Sequence, residues 1–182
     1  MRNNEREITM LKKALGIALL MVSLSVTAFA AIPKDSMHIG GLKPGMTIEQ
    51  VAAMYGQPVF EHTPFKAEGD VYHIGGGLLK GWQKSGTQGV FSSFYLNGSY
   101  KPAPGVDKVL ATGDVHIGMS ISEVVSRLGS PDKTFSFQNG RHQQYRYESV
   151  EDVDWTWNKK FTMYFEFQDG QLMDIGLNHF YP

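Results

Sequence analysis

The stretch GMSISEVVSRLGSP, Gly118 to Pro131, repeats without a gap a stretch that stands 73 positions earlier, GMTIEQVAAMYGQP, Gly45 to Pro58. Six of the fourteen positions are identical: Gly45/Gly118, Met46/Met119, Ile48/Ile121, Val51/Val124, Gly56/Gly129 and Pro58/Pro131. The residues that match are those a short helix needs. Thr47 and Ser120 stand where an N-cap belongs, with Gln50 and Glu123 three residues on. In that pattern side chains and free backbone donors satisfy one another at the helix start. Ile121, Val124, Val125 and Leu128 keep the i, i+3, i+4, i+7 spacing of one helix face, as do Ile48, Val51, Ala52 and Tyr55. Gly56 and Gly129 supply a terminating residue, and Pro58 and Pro131 prevent resumption of the helix. The repeat therefore predicts two equivalent helices, and none of its matched residues needs a catalytic role.

Strand patterns follow each helix. KTFSFQ, then Asn139-Gly140, then RHQQYRYES reads as a hairpin, because Asn-Gly tolerates the positive φ angles of a tight turn. KFTMYFEFQ, Asp169-Gly170 and QLMDIGL read as another. Phe161, Met163, Phe165 and Phe167 alternate with Thr162, Tyr164, Glu166 and Gln168, which describes a half-buried strand with its apolar face toward a helix. Tyr145 and Tyr147 share one strand face and read as core. Before the second helix, DVYHIG and GVFSSFYL read as strands and DKVLATG as the segment closing the unit. GGGLLKGWQKSGTQG and NGSYKPAPGV read as loops, being rich in residues that interrupt regular structure. The expected fold is α+β: two tandem repeats, residues 31–114 and 115–182, each a short helix or helix pair packed on a four-stranded antiparallel sheet. The short TGDVHIG junction implies that the two pack as one compact unit.

The first thirty residues stand apart. Lys12 and Lys13 precede an apolar run from Ala14 to Val26, and Ala28-Phe29-Ala30 follows, the order of a secretory signal peptide. The run is shorter than the roughly 20 residues of a spanning helix. Cleavage is expected between Ala30 and Ala31, and either Met1 or Met10 serves as the start. Without residues 1–30 the chain loses four of its 17 Lys and Arg and two of its 18 Asp and Glu, leaving a net charge near −3. With no basic stripe, nucleic acid is not an expected partner. The chain has no cysteine, so disulfides and a lipid-modified cysteine are both excluded. The expected location is periplasmic or secreted.

The succession Gly-Met-(Thr/Ser)-x-x-(Glu/Gln)-Val, then Gly-x-Pro, then a hairpin meander closing on strand, Asp-Gly and strand, resembles the SmpA/OmlA (BamE-like) envelope family. Two such units in tandem resemble the architecture of secreted β-lactamase inhibitor proteins. The resemblance covers both halves of the chain. It implies a mostly non-enzymatic function, either scaffolding outer-membrane assembly or binding another protein across an exposed sheet. One departure stands out: BamE-type proteins are lipoproteins anchored through a cysteine, which this chain lacks.

The residues themselves carry little chemistry. His38, His62, His73, His116, His142 and His179 are scattered without a metal-ligand spacing. GGGLLKG lacks the strand-before and helix-after context of a dinucleotide loop, and GWQKSG misses the glycine spacing of a phosphate loop. No nucleophile elbow or thiol is present, and the acidic run Glu148, Glu151, Asp152 and Asp154 reads as solvated surface. No catalytic residue, metal or cofactor is therefore expected. The candidate binding residues are aromatic. Trp155 and Trp157 stand among charges in DVDWTWNKK, while Tyr164 and Glu166 face away from the helix side of their strand. Trp82 stands in the glycine-rich connection. Exposed rings anchor protein interfaces because they bury much area for little lost rotamer freedom; equally, such rings close the ends of a small core. Two readings follow: a module that grips a protein partner, an inhibitor being one form of it, or a small-ligand binder whose tryptophans stack on cell-wall sugars.

Overall fold

The computed structural model describes residues 32–61, 69–85, 89–99, 102–150 and 160–179. Two α-helices occur among the described residues, α1 (Ile48–Tyr55) and α2 (Ile121–Leu128). Both begin on a reciprocal cap. Gln50 N donates to Thr47 Oγ1 at 3.4 Å and Thr47 N donates to Gln50 Oε1 at 2.9 Å. In α2, Glu123 N donates to Ser120 Oγ at 3.3 Å and Ser120 N to Glu123 Oε2 at 2.8 Å. Both helices stop at a glycine of positive φ, Gly56 at 77° and Gly129 at 80°, where a side chain would be strained.

Among the described residues nine strands form one sheet: β1 (Ile32–Pro33), β2 (Val59–Glu61), β3 (Gly69–Ile74), β4 (Leu79–Lys84), β5 (Ser93–Asn97), β6 (Lys133–Phe137), β7 (His142–Val150), β8 (Phe161–Gln168) and β9 (Gln171–His179). Their order is β1-β7-β8-β9-β5-β4-β3-β2, with β6 also on β7. β1 lies parallel to β7, beyond the stretch that β6 pairs, and every other pairing is antiparallel.

The pairing of β5 with β9, Ser93 opposite Asn178 through Asn97 opposite Asp174, is what makes one sheet. Unpaired, each of these strands would present a row of free backbone donors and acceptors. This corrects the expected α+β architecture of two repeats, each a helix on its own four-stranded antiparallel sheet. Among the described residues the fold is mostly sheet, one mixed sheet of nine strands with two eight-residue helices.

Two local readings are also corrected, and a third segment is specified. Leu79–Lys84, within the expected glycine-rich loop, is a central strand. Its Gly81 is required because a Cβ there would stand 2.6 Å from the Phe91 ring. DKVLATG, read as the segment closing the first unit, takes part in two 3₁₀ turns, Val106–Lys108 and Thr112–Asp114. The β6–β7 connection is longer than a two-residue turn, with Gln138, Asn139 and Gly140 all at positive φ. The β8–β9 turn does use Asp169 and Gly170 at φ 50° and 82°.

The core lies on one side of the sheet. Val51 of α1 and Val124 and Leu128 of α2 join Leu79, Phe94, Leu96, Tyr147, Phe161, Met163, Phe165, Phe167, Leu172, Ile175 and Leu177 in one buried cluster. Two tyrosines tie strands and loops to helix ends: Tyr147 donates to Gly129 O at 3.0 Å, and Tyr55 to Gly40 O at 2.8 Å. Burial raises the Tyr147 phenol well above its ordinary value, since the charged form is disfavoured away from water. No helix among the described residues is long and apolar enough to cross a membrane.

Candidate functional site

Because side chains alternate across a strand, the residues between the core positions share the opposite face. Register aligns one row across eight strands: Lys133, Arg146, Tyr164, Gly176, Tyr95, Lys80, His73 and Val59, each directly opposite the next. On one flank lie Phe135, Gln144, Glu166, Asp174 and Asn97. On the other lie Glu148, Thr162, Asn178, Ser93, Trp82 and Val71, of which Thr162 and Ser93 are buried. Both described helices pack on the other side.

The middle of this face is aromatic. The Tyr164 ring lies over Gly176, where a Cβ would collide with it. Its centroid is 6.1 Å from that of Tyr95. Desolvation, then the hydrogen bond and charge of Tyr95, push the Tyr164 phenol far up, while its hydrogen bond with Asn178 acts the other way. Tyr164 is thus a fixed, lowered pad on the sheet. Trp82 belongs to β4, half-buried on the same face, with its indole nitrogen close to Gly69. Glu166 accepts from Gln144 Nε2 at 3.0 Å.

The structure thus brings Tyr164, Glu166 and Trp82 onto one face, with Trp82 two strands beyond β9. Trp155 and Trp157 lie outside the described residues. Sequence reasoning missed Phe135 and Phe137 on β6, 37% and 56% exposed, which form an apolar end to the face. Their spacing of two in a strand between charged and polar residues was the available signal. It also missed Arg146, whose guanidinium stands 4.9 Å from the Phe135 ring centroid and donates from Nη2 to Gln144 Oε1 at 3.1 Å.

Lys133, Lys80 and His73 of the face each meet a carboxylate. Lys133 Nζ lies 2.7 Å from Glu148 Oε1, and Glu61 Oε2 meets Lys80 Nζ at 3.1 Å and His73 Nε2 at 3.2 Å. Lys133 and nearby positive charges hold the Glu148 carboxyl below its ordinary value. A depression of about 250 Å³ lined by Phe137, His142, Gln143, Gln144, Glu166 and Phe167 opens beside β6. It is smaller than the roughly 300–1,000 Å³ clefts that enclose drug-sized ligands.

No protein-family model and no curated protein matches the chain, so the likeness to the SmpA/OmlA group rests on the motif alone. Among solved structures, the chain is similar to a Streptococcus mutans protein named a "putative beta-lactamase inhibitor protein". The two are 16% identical over 82% of this chain and 90% of that one, with a TM-score of 0.27. At that TM-score the likeness carries no argument about fold or function.

Proposed function

We propose that the chain is an exported, non-enzymatic binding protein that grips a protein partner with the open face of its sheet. The observation that carries the reading is the aligned row, in which Tyr164 and Tyr95 meet over Gly176 between Arg146 and Lys80. Interfaces draw most of their energy from a few Tyr, Trp and Arg residues near the centre, ringed by polar contacts that exclude water. The open face has that composition, with Phe135 and Phe137 as further apolar area at one edge. A periplasmic or secreted location rests on the order of Lys12-Lys13, the apolar run and Ala28-Phe29-Ala30.

The test is capture from envelope and culture-fluid extracts by the wild-type chain and by Phe137→Ser, which changes an exposed side chain. The reading expects one enriched protein, its recovery reduced about tenfold by Phe137→Ser with the melting temperature unchanged. Equal recovery by both chains counts against the Phe137 end of the face. Retention of soluble cell-wall saccharide with no enriched protein favours the sugar-binding reading.

A further inference from the structure

Arg146 differs from Lys133 and Lys80 of the same face. Lys133 and Lys80 each meet a carboxylate, whereas among the described residues none comes within ion-pair distance of Arg146. Its guanidinium is nevertheless held in place. Phe135 covers it at 4.9 Å, and Nη2 donates to Gln144 Oε1 at 3.1 Å. Gln144 spends its amide protons on Glu166 instead, at 3.0 Å. The Nε–H is enclosed without an acceptor. Side-chain freedom and part of the hydration of this cation are therefore already lost in the free protein, which lowers the cost of receiving an anion.

Resting on the reading of this face as a protein-binding surface, we infer that Arg146 receives an Asp or Glu side chain of the partner, seated between the Phe135 and Tyr164 positions. A planar guanidinium fork matches a carboxylate with two parallel hydrogen bonds, which a lysine ammonium does not reproduce. The neighbouring strand positions choose among anions. Glu148 stands two residues along β7, and Glu166 is directly opposite Gln144. Two carboxylates so close repel a phosphate dianion more than a carboxylate monoanion. The partner segment therefore carries one acidic side chain beside an apolar one that lies against Phe135 and Phe137.

The test uses the whole chain with ¹⁵N-labelled arginine and the acetylated, amidated peptides Gly-Phe-Asp-Gly, Gly-Phe-Asn-Gly and Gly-Phe-phosphoserine-Gly. The Asp peptide is expected to move the Arg146 side-chain resonances saturably and the Asn peptide to leave them in place. Arg146→Lys should weaken the Asp peptide about tenfold or more, with an unchanged melting curve. Equal responses to the Asp and Asn peptides, or no response to either, overturn the carboxylate assignment. So does tighter binding of the phosphoserine peptide, which would make the site one for phosphate. The wider reading fails separately, when extract capture yields no protein; an Arg146→Gln chain that still captures one as well as wild type overturns this inference alone.

Discussion

The ring of Tyr164 occupies the space that a side chain on Gly176 would need, so the two residues fit only because one has no Cβ. They are directly opposite on β8 and β9, at the middle of the face away from the helices. The glycine leaves a gap in that face and the phenol fills it, with the Tyr95 ring centroid 6.1 Å away. The same contact supports the sheet and shapes its centre.

Gly176→Ala is expected to destabilise the fold by about 1–3 kcal/mol, the usual cost of forcing atoms into a filled site. Tyr164→Ala should relieve much of that penalty when combined with it. Denaturant melts of the two single variants and the double variant measure the coupling. Additive effects would mean the ring does not rest on the glycine.

Stability should fall in alkali. Tyr147 and Tyr164 have phenol pKa values raised above the ordinary 10.0, chiefly by burial. Between that value and the raised ones the unfolded chain releases protons that the folded chain retains, so rising pH favours unfolding. Stability from this source is full below about pH 10 and is lost progressively above it. Urea melts of wild type and Tyr147→Phe across pH 8–11 check the sign, since the variant should show a shallower loss.

Loss of a helix cap should register directly. Ser120→Ala removes the oxygen that accepts from Glu123 N and is expected to cost about 1 kcal/mol. Thr47→Ala should cost a similar amount at α1. Chemical denaturation decides it, and a cost near zero for both would show that tertiary packing alone sets these helix starts.

The helices were legible because every signal is local: a cap, a stripe and a stop within fourteen residues. The β8–β9 hairpin was legible for the same reason, through alternation and Asp169-Gly170. β4 was obscured by its glycines, although Leu79, Gly81 and Gln83 alternate with Lys80, Trp82 and Lys84. The need for Gly81 arises from Phe91, which a local reading does not see. β1 and β2, at two and three residues, leave almost no periodic trace. The single sheet was not legible, because it rests on β5 meeting β9 across some eighty residues of chain. For the same reason sequence reading found Tyr164, Glu166 and Trp82 separately. The row joining Arg146, Tyr164, Tyr95 and Lys80 exists only once register is known.

The most direct test of the open face uses the absence of cysteine from the chain. Gln144→Cys on the open face and Glu49→Cys on the exposed side of α1 each provide one attachment point for a benzophenone photocrosslinker. Illumination with envelope and culture-fluid extract should give a discrete heavier adduct with one partner from Gln144→Cys and none from Glu49→Cys. An adduct with that partner from Glu49→Cys alone would place the binding surface on the helix side and contradict the account.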